Sequence, residues 1–176
     1  MNVLSKVDYD SVSPAAKEIL NGLKKKNGKV HNIYASMANS PAALKALLSF
    51  KQALSGGVLS DKEAEVISLV CAEVNQCGYC LAAHTAIAKM AGISAEEAKE
   101  FRNGNSQDVK TDALAKLVQE IVITQGRPCE EKLKTFYGAG YDDAALTEVI
   151  ANVALNIYTN YFNHIADPEI DFPKVD

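Results

Sequence analysis

The sequence predicts an all-α fold, a single domain of about eight or nine helices with no sheet, on three observations. Ser-Pro pairs and Ser-x-x-Glu boxes mark helix starts at intervals along the chain. Apolar residues between them recur at steps of three and four. Runs alternating with period two and rich in β-branched residues stop at about five positions.

The elements follow in order. Ser13-Pro14 and Ser40-Pro41 each set a capping hydroxyl before a proline at the first helical position. The run Lys24, Lys25, Lys26 suits the solvated end of the first helix. Ser60-Asp61-Lys62-Glu63 and Ser94-Ala95-Glu96-Glu97 read as capping boxes, in which the serine oxygen accepts from the third helical N–H and the glutamate reaches back to the cap. Gly92 follows an apolar helical run, and Gly126 follows Leu114, Leu117, Val118, Ile121 and Val122; both glycines suit left-handed helix ends. The last long segment carries Leu146, Val149, Ile150, Val153, Ile157 and Tyr161 at helical spacing, with Ala151 and Ala154 on other faces. A helix this apolar is expected either at the centre of the fold or against another subunit.

Composition limits the partners. The chain has 176 residues, 48% hydrophobic and 23% charged, which suits one domain spanning residues 1–176 with a continuous core. A formal net charge of −4 without a basic patch argues against nucleic acid. No apolar run reaches the roughly 18 residues of a membrane span, and the start lacks a secretory pattern, so a cytoplasmic protein without membrane partners is expected. Four cysteines are too few for a disulfide scaffold of this length. Cys71 and Cys129 read as small buried hydrophobes, and His31 and His164 as satisfied surface or interface residues.

The chemistry concentrates in Cys77, Cys80 and His84, a C-x2-C-x3-H spacing, with Glu73 four residues earlier. On one straight helix Glu73, Cys77, Cys80 and His84 fall within roughly 60° of arc. A thiol attacks as thiolate, and an ordinary cysteine pKa of about 8.5 leaves only a few per cent ionised at neutral pH. His84, one turn after Cys80, can take the thiol proton or stabilise the thiolate; lowering the thiol pKa to about 6 corresponds to roughly 3 kcal/mol. Should Gly78 break the helix so that a new one opens near Cys77, its unpaired N–H groups would add to this. Residues three apart on a helix lie within disulfide range, so Cys77 can resolve a sulfenic acid on Cys80. Glu73 is the carboxylate that straight-helix geometry favours for orienting His84 or relaying a proton, with Glu65 two turns further back. Tyr79, between the cysteines, reads as a packing or gating residue. Zinc held by Cys77, Cys80, His84 and Glu73 is the metal alternative, though structural zinc sites draw ligands from two separated segments and no second pair exists.

The pattern E-x11-C-x2-C-x3-H, met by Glu65, Cys77, Cys80 and His84 after Leu59-Ser60, resembles that of the AhpD-like alkylhydroperoxidases within the carboxymuconolactone decarboxylase superfamily. Asn32-Ile33-Tyr34, Ser40-Pro41-Ala42-Ala43-Leu44, and the closing Tyr161-Phe162-Asn163-His164-Ile165-Ala166 with Asp171-Phe172-Pro173 are similar as well, so the likeness covers most of the chain, its catalytic core at about residues 40–125. The resemblance implies an all-α bundle assembled as a homotrimer or homohexamer. It also implies a small-molecule hydroperoxide substrate, no bound cofactor, and an external dithiol or lipoyl-type reductant. Cys80 would attack peroxide, Cys77 resolve, and Glu65 with His84 relay protons. On a straight helix Glu65 sits about 90° from the cysteine stripe, so that role requires a break near Asn75 to Gly78 or a bridging water. Lipoyl-linked members carry a histidine where Tyr79 stands, which bears on both the second proton carrier and the electron donor. The decarboxylase branch lacks the cysteine pair, so lactone decarboxylation is not expected. Two further readings are a general dithiol-disulfide oxidoreductase or redox sensor, and a non-catalytic helical assembly or metal-binding module.

Overall fold

The computed structural model describes Leu4 and residues 7–173. Among them run nine helices and no strand: α1 (Pro14–Asn27), α2 (Asn32–Met37), α3 (Pro41–Leu54), α4 (Asp61–Val74), α5 (Gly78–Met90), α6 (Ala95–Arg102), α7 (Val109–Ile123), α8 (Glu130–Gly138) and α9 (Asp143–Ala166). The expected starts are in place. Ser13 accepts from the Ala16 N–H and Ser40 from the Ala43 N–H, each ahead of a first-turn proline, and Ser60 and Ser94 close complete capping boxes with Glu63 and Glu97. Each such cap stabilises its helix by about 1 kcal/mol.

The sequence of α4 explains its central place. Glu65, Val66, Ile67, Ser68, Leu69, Val70, Cys71 and Ala72 are consecutive and all buried, so the helix has no solvent face there and must be covered on every side. Helices α5, α6, α7 and α9 provide that cover. At roughly 1.5–3 kcal/mol for each large apolar side chain, Val66, Ile67, Leu69 and Val70 alone make α4 a main source of stability.

Two apolar clusters meet on α4. One joins it to α6, α7, α8 and the first half of α9 through Phe101, Leu114, Leu117, Val118, Phe136 and Val149. The other gathers Leu20, Leu23, Ile33, Met37, Leu44 and Leu47 from α1 to α3 with Ala72, Cys77, Tyr79, Cys80 and Ala83, and Phe172 packs on its margin. The cysteine pair therefore lies where α4, α5 and α9 converge. The loop before α4 is tied to α9 by Glu148, whose carboxylate accepts the backbone N–H groups of Val58 and Leu59 at 2.8 and 3.0 Å.

Two expectations change. The apolar stripe of the final helix is divided: Val149 and Val153 are buried whereas Ile150 and Tyr161 are exposed, and Asn152, Asn156, Asn160 and Asn163 share the buried face. Cys129 is exposed as the cap residue of α8, whereas Cys71 is fully buried as expected. Among the described residues no helix is long and apolar enough to cross a membrane.

Candidate functional site

The site depends on how α4 stops. Cys77 N–H bonds the Ala72 carbonyl at 2.8 Å and Gln76 N–H the Glu73 carbonyl at 2.9 Å, a Schellman ending with Gln76 left-handed at φ 55°. Glycine is the usual occupant of that position, and glutamine pays roughly 1 kcal/mol there. The chain turns, and α5 restarts with Cys77 as its cap, the Cys77 sulfur accepting the Cys80 N–H at 3.3 Å. One straight helix through Glu73, Cys77, Cys80 and His84 is thereby corrected to two helices with a break over Asn75 to Cys77.

Cys77 and Cys80 form a disulfide across the first turn of α5, their Cα atoms 5.2 Å apart. Both are buried, at 1% and 3% exposure. The break decides which glutamate reaches the histidine. Glu65 Oε2 lies 2.8 Å from His84 Nδ1, both side chains mostly shielded from solvent. Glu73 turns away and accepts from Arg102 Nε at 2.7 Å, so the arrangement of Glu73 beside the cysteines and His84 is corrected. The same displacement disperses the donor set of the metal alternative, and among the described residues no three His, Cys, Asp or Glu side chains gather to hold a metal ion. The contact with Glu65 occupies Nδ1 of His84 and leaves Nε2 as the ring's other hydrogen-bonding nitrogen. His84 follows Cys80 by four residues on α5, one turn along the same face.

Two residues beside the sulfurs were missed from the sequence. Asn160 Nδ2 donates to Cys80 Sγ at 3.0 Å and Asn163 Nδ2 to the same atom at 3.2 Å, with Cys77 Sγ 3.8 Å from the latter. The available signal was the polar series Asn152, Asn156, Asn160, Asn163 at helical steps inside an otherwise apolar helix. A buried amide is costly without partners, so such a series points inward to something.

Tyr79 is 6% exposed and is tied to the chain end. Its hydroxyl donates to Asp171 Oδ1 at 2.6 Å and accepts the Ile33 N–H at 3.3 Å. Asp171 also meets His31 Nδ1 at 2.9 Å and Lys29 Nζ at 3.3 Å, and Phe172 stacks on the His31 ring. Burial pushes the Tyr79 hydroxyl well above the ordinary tyrosine range, and its bond to Asp171 adds to this. Burial alone would raise the Asp171 carboxyl, but the hydrogen bonds from Tyr79 and His31 outweigh it and hold the group below its usual value. His164 is exposed on α9. Burial drives the Cys71 thiol far upward, which leaves it inert.

The arrangement is thus a buried cysteine pair at a helix start, two amides on one sulfur, and a carboxylate-bonded imidazole one turn away. It suits thiol-disulfide chemistry with a proton carrier.

Residues 41–120 match the model of the carboxymuconolactone decarboxylase family. A search of the curated proteins finds no match. Among solved structures the chain is similar to the alkylhydroperoxidase AhpD core of an uncharacterized peroxidase-related protein from Ralstonia eutropha JMP134, with 18% identity over 100% of this chain and 95% of that one, TM-score 0.81. A peroxidase-related protein from Silicibacter sp. TM1040 is similar at 18% identity over 94% and 91% of the two chains, TM-score 0.81. The debrominase Bmp8, solved in complex with 2,3,4-tribromopyrrole, is similar at 14% identity over 97% and 92%, TM-score 0.81.

Proposed function

From the match of residues 41–120 to the carboxymuconolactone decarboxylase family and from the AhpD-like fold, we propose that the chain is a thiol-dependent peroxidase acting on small hydroperoxides. The observation that carries this reading is the 2.8 Å contact between Glu65 and His84 beside the cysteine pair. It brings Glu65 of α4 to the ring that follows Cys80 by one turn on α5, which supports a shared role for the E-x11-C-x2-C-x3-H residues.

In the reaction Cys80 thiolate attacks the terminal peroxide oxygen. The S–O bond forms, the O–O bond breaks, and the leaving alkoxide takes a proton supplied through His84, giving the alcohol and a sulfenic acid on Cys80. Cys77 thiolate then attacks the Cys80 sulfur, and the hydroxide released is protonated to water. Glu65 holds the ring of His84 and stabilises its cationic form between these transfers. An external dithiol reduces the Cys77–Cys80 disulfide and is itself oxidised to a disulfide. We assign the protein to the cytoplasm and to a homotrimeric or homohexameric state, for which the exposed Ile150, Tyr158, Tyr161 and Ile165 on α9 supply an apolar face.

Mass spectrometry of the reduced protein, quenched after one equivalent of tert-butyl hydroperoxide and mapped by peptide, tests the reading. A Cys77–Cys80 disulfide formed stoichiometrically within seconds supports it; no oxidation over minutes overturns it. Because one fold neighbour is a debrominase, 2,3,4-tribromopyrrole belongs in a parallel arm. Oxidation of the pair by that compound alone would assign the dithiol to a halogenated aromatic instead.

A further inference from the structure

We infer that Asn160 and Asn163 are the groups that hold Cys80 as a thiolate once the disulfide is reduced, and that Asn75 positions Asn160 for this. The inference deepens the peroxidase reading at the same site, naming what activates the attacking sulfur.

Four asparagines of α9 are buried, at 7%, 4%, 0% and 5% exposure for Asn152, Asn156, Asn160 and Asn163. The first two satisfy their amides within their own helix. Asn152 Nδ2 bonds the Glu148 carbonyl and Asn156 Nδ2 the Asn152 carbonyl, both at 2.9 Å, and Asn156 also reaches Ser68 Oγ at 3.3 Å. The other two direct their Nδ2 groups across to sulfur. A disulfide sulfur is a weak acceptor, so two buried donors aimed at it are poorly repaid in the oxidised protein. A thiolate accepts strongly, and hydrogen bonds to a charged form favour that form. The donors are placed for a sulfur that carries negative charge.

The orientation of Asn160 is fixed from behind. Its Oδ1 accepts from Asn75 Nδ2 at 2.8 Å, which leaves Nδ2 for the sulfur. Asn75 caps the C-terminal end of α4 next to the left-handed Gln76, so the break that separates the two helices also orients the amide. The arrangement is unequal. Cys80 receives two amides at 3.0 and 3.2 Å, whereas Cys77 receives its own helix N–H at 3.3 Å and one amide at 3.8 Å. Of the titratable groups, Cys77 caps α5 and is bonded to Cys80, Tyr79 precedes it, and His84, bonded to Glu65 of α4, follows it by one turn; α9 meets the sulfur with the neutral amides of Asn160 and Asn163.

The test is the pH dependence of Cys80 alkylation by iodoacetamide in the fully reduced protein, followed by peptide mapping. Asn160→Leu should raise the midpoint by about one unit, a tenfold loss of thiolate below it. Asn163→Leu and Asn75→Ala should move it in the same direction by less. Asn156→Leu, buried alike but bonded within its helix, should leave it in place. The equilibrium with a glutathione buffer supplies a second readout, in which loss of the donors disfavours the reduced form by a similar factor, about 30 mV for a two-electron couple. Should Asn160→Leu fail to fold, Asn75→Ala and Asn160→Ser carry the same expectation. Unchanged midpoints in the Asn160 and Asn163 variants, or an equal shift in Asn156→Leu, would overturn the inference. Neither readout uses peroxide, so a shifted midpoint in a protein that peroxide does not oxidise would sink the peroxidase reading and leave this one standing.

Discussion

His84 Nδ1 and Glu65 Oε2 lie 2.8 Å apart although 19 residues and a helix break separate them. Their closeness follows from packing two helices against each other, α4 ending before α5 begins, and not from periodicity along one helix. Glu73, nearer in sequence, is carried to Arg102 by the same turn of the chain.

The first prediction compares the two carboxylates. Glu65→Gln should slow peroxide-driven oxidation of the cysteine pair about 100-fold, the lower end of what a positioned acid-base group contributes. Glu73→Gln should change the rate less than twofold, and stability by at most about 1 kcal/mol, since its partner is a partly exposed arginine. Stopped-flow oxidation of the two variants decides it; equal losses would remove Glu65 from its role.

Unequal roles for the two cysteines give the second. Cys80→Ser should abolish peroxide consumption. Cys77→Ser should allow one turnover and leave a sulfenic acid that dimedone traps on Cys80. Loss in both variants without a trapped species would refute the assignment of attacking and resolving thiols.

The fold was legible because its signals are local. Ser13, Ser40, Ser60 and Ser94 cap helices through bonds spanning three residues, and such spacing survives in the sequence. The site was half legible. Cys77, Cys80 and His84 sit within one short segment, but the end of α4 rests on a left-handed glutamine, a residue that does not announce such a turn. Asn160 and Asn163 were hidden for another reason: they reach the sulfurs across 80 and more residues of chain, and a reading of α9 for its apolar stripe passes over them.

The strained turn supplies the third prediction. Gln76 is exposed and left-handed, so Gln76→Gly removes a conformational penalty without losing a contact in the core. Stability should rise by roughly 0.5–1 kcal/mol, less the greater entropy of glycine in the unfolded chain. Urea unfolding checks this; a destabilised variant would mean that the turn depends on the glutamine side chain.

The exposed face of α9 supplies the fourth. Ile150, Tyr158, Tyr161 and Ile165 are 41–59% exposed and recur at helical steps. Light scattering should give a mass three or six times the 18.9 kDa of one chain, and Tyr161→Glu with Ile165→Glu should return it to the monomer. A monomeric parent protein would refute the proposed assembly.

The fifth concerns the segment that closes over Tyr79. Asp171 ties the chain end to Tyr79, His31 and Lys29, and these bonds require its ionised form. Its carboxyl is held below the ordinary aspartate value in the folded protein, so its contribution is present above the unfolded pKa of about 3.9 and fades as pH falls through the lower folded value. Asp171→Asn should therefore cost roughly 1–2 kcal/mol at neutral pH, the range for partly shielded hydrogen bonds to a charge. Its deficit relative to the parent should shrink as the solution is acidified below about pH 4. Tyr79→Phe at neutral pH should lose part of the same energy, and the two losses should not add, because the residues share one bond. Denaturation curves of both variants and the double variant across this pH range measure the coupling; a deficit independent of pH would mean that Asp171 holds the segment by shape and not by charge.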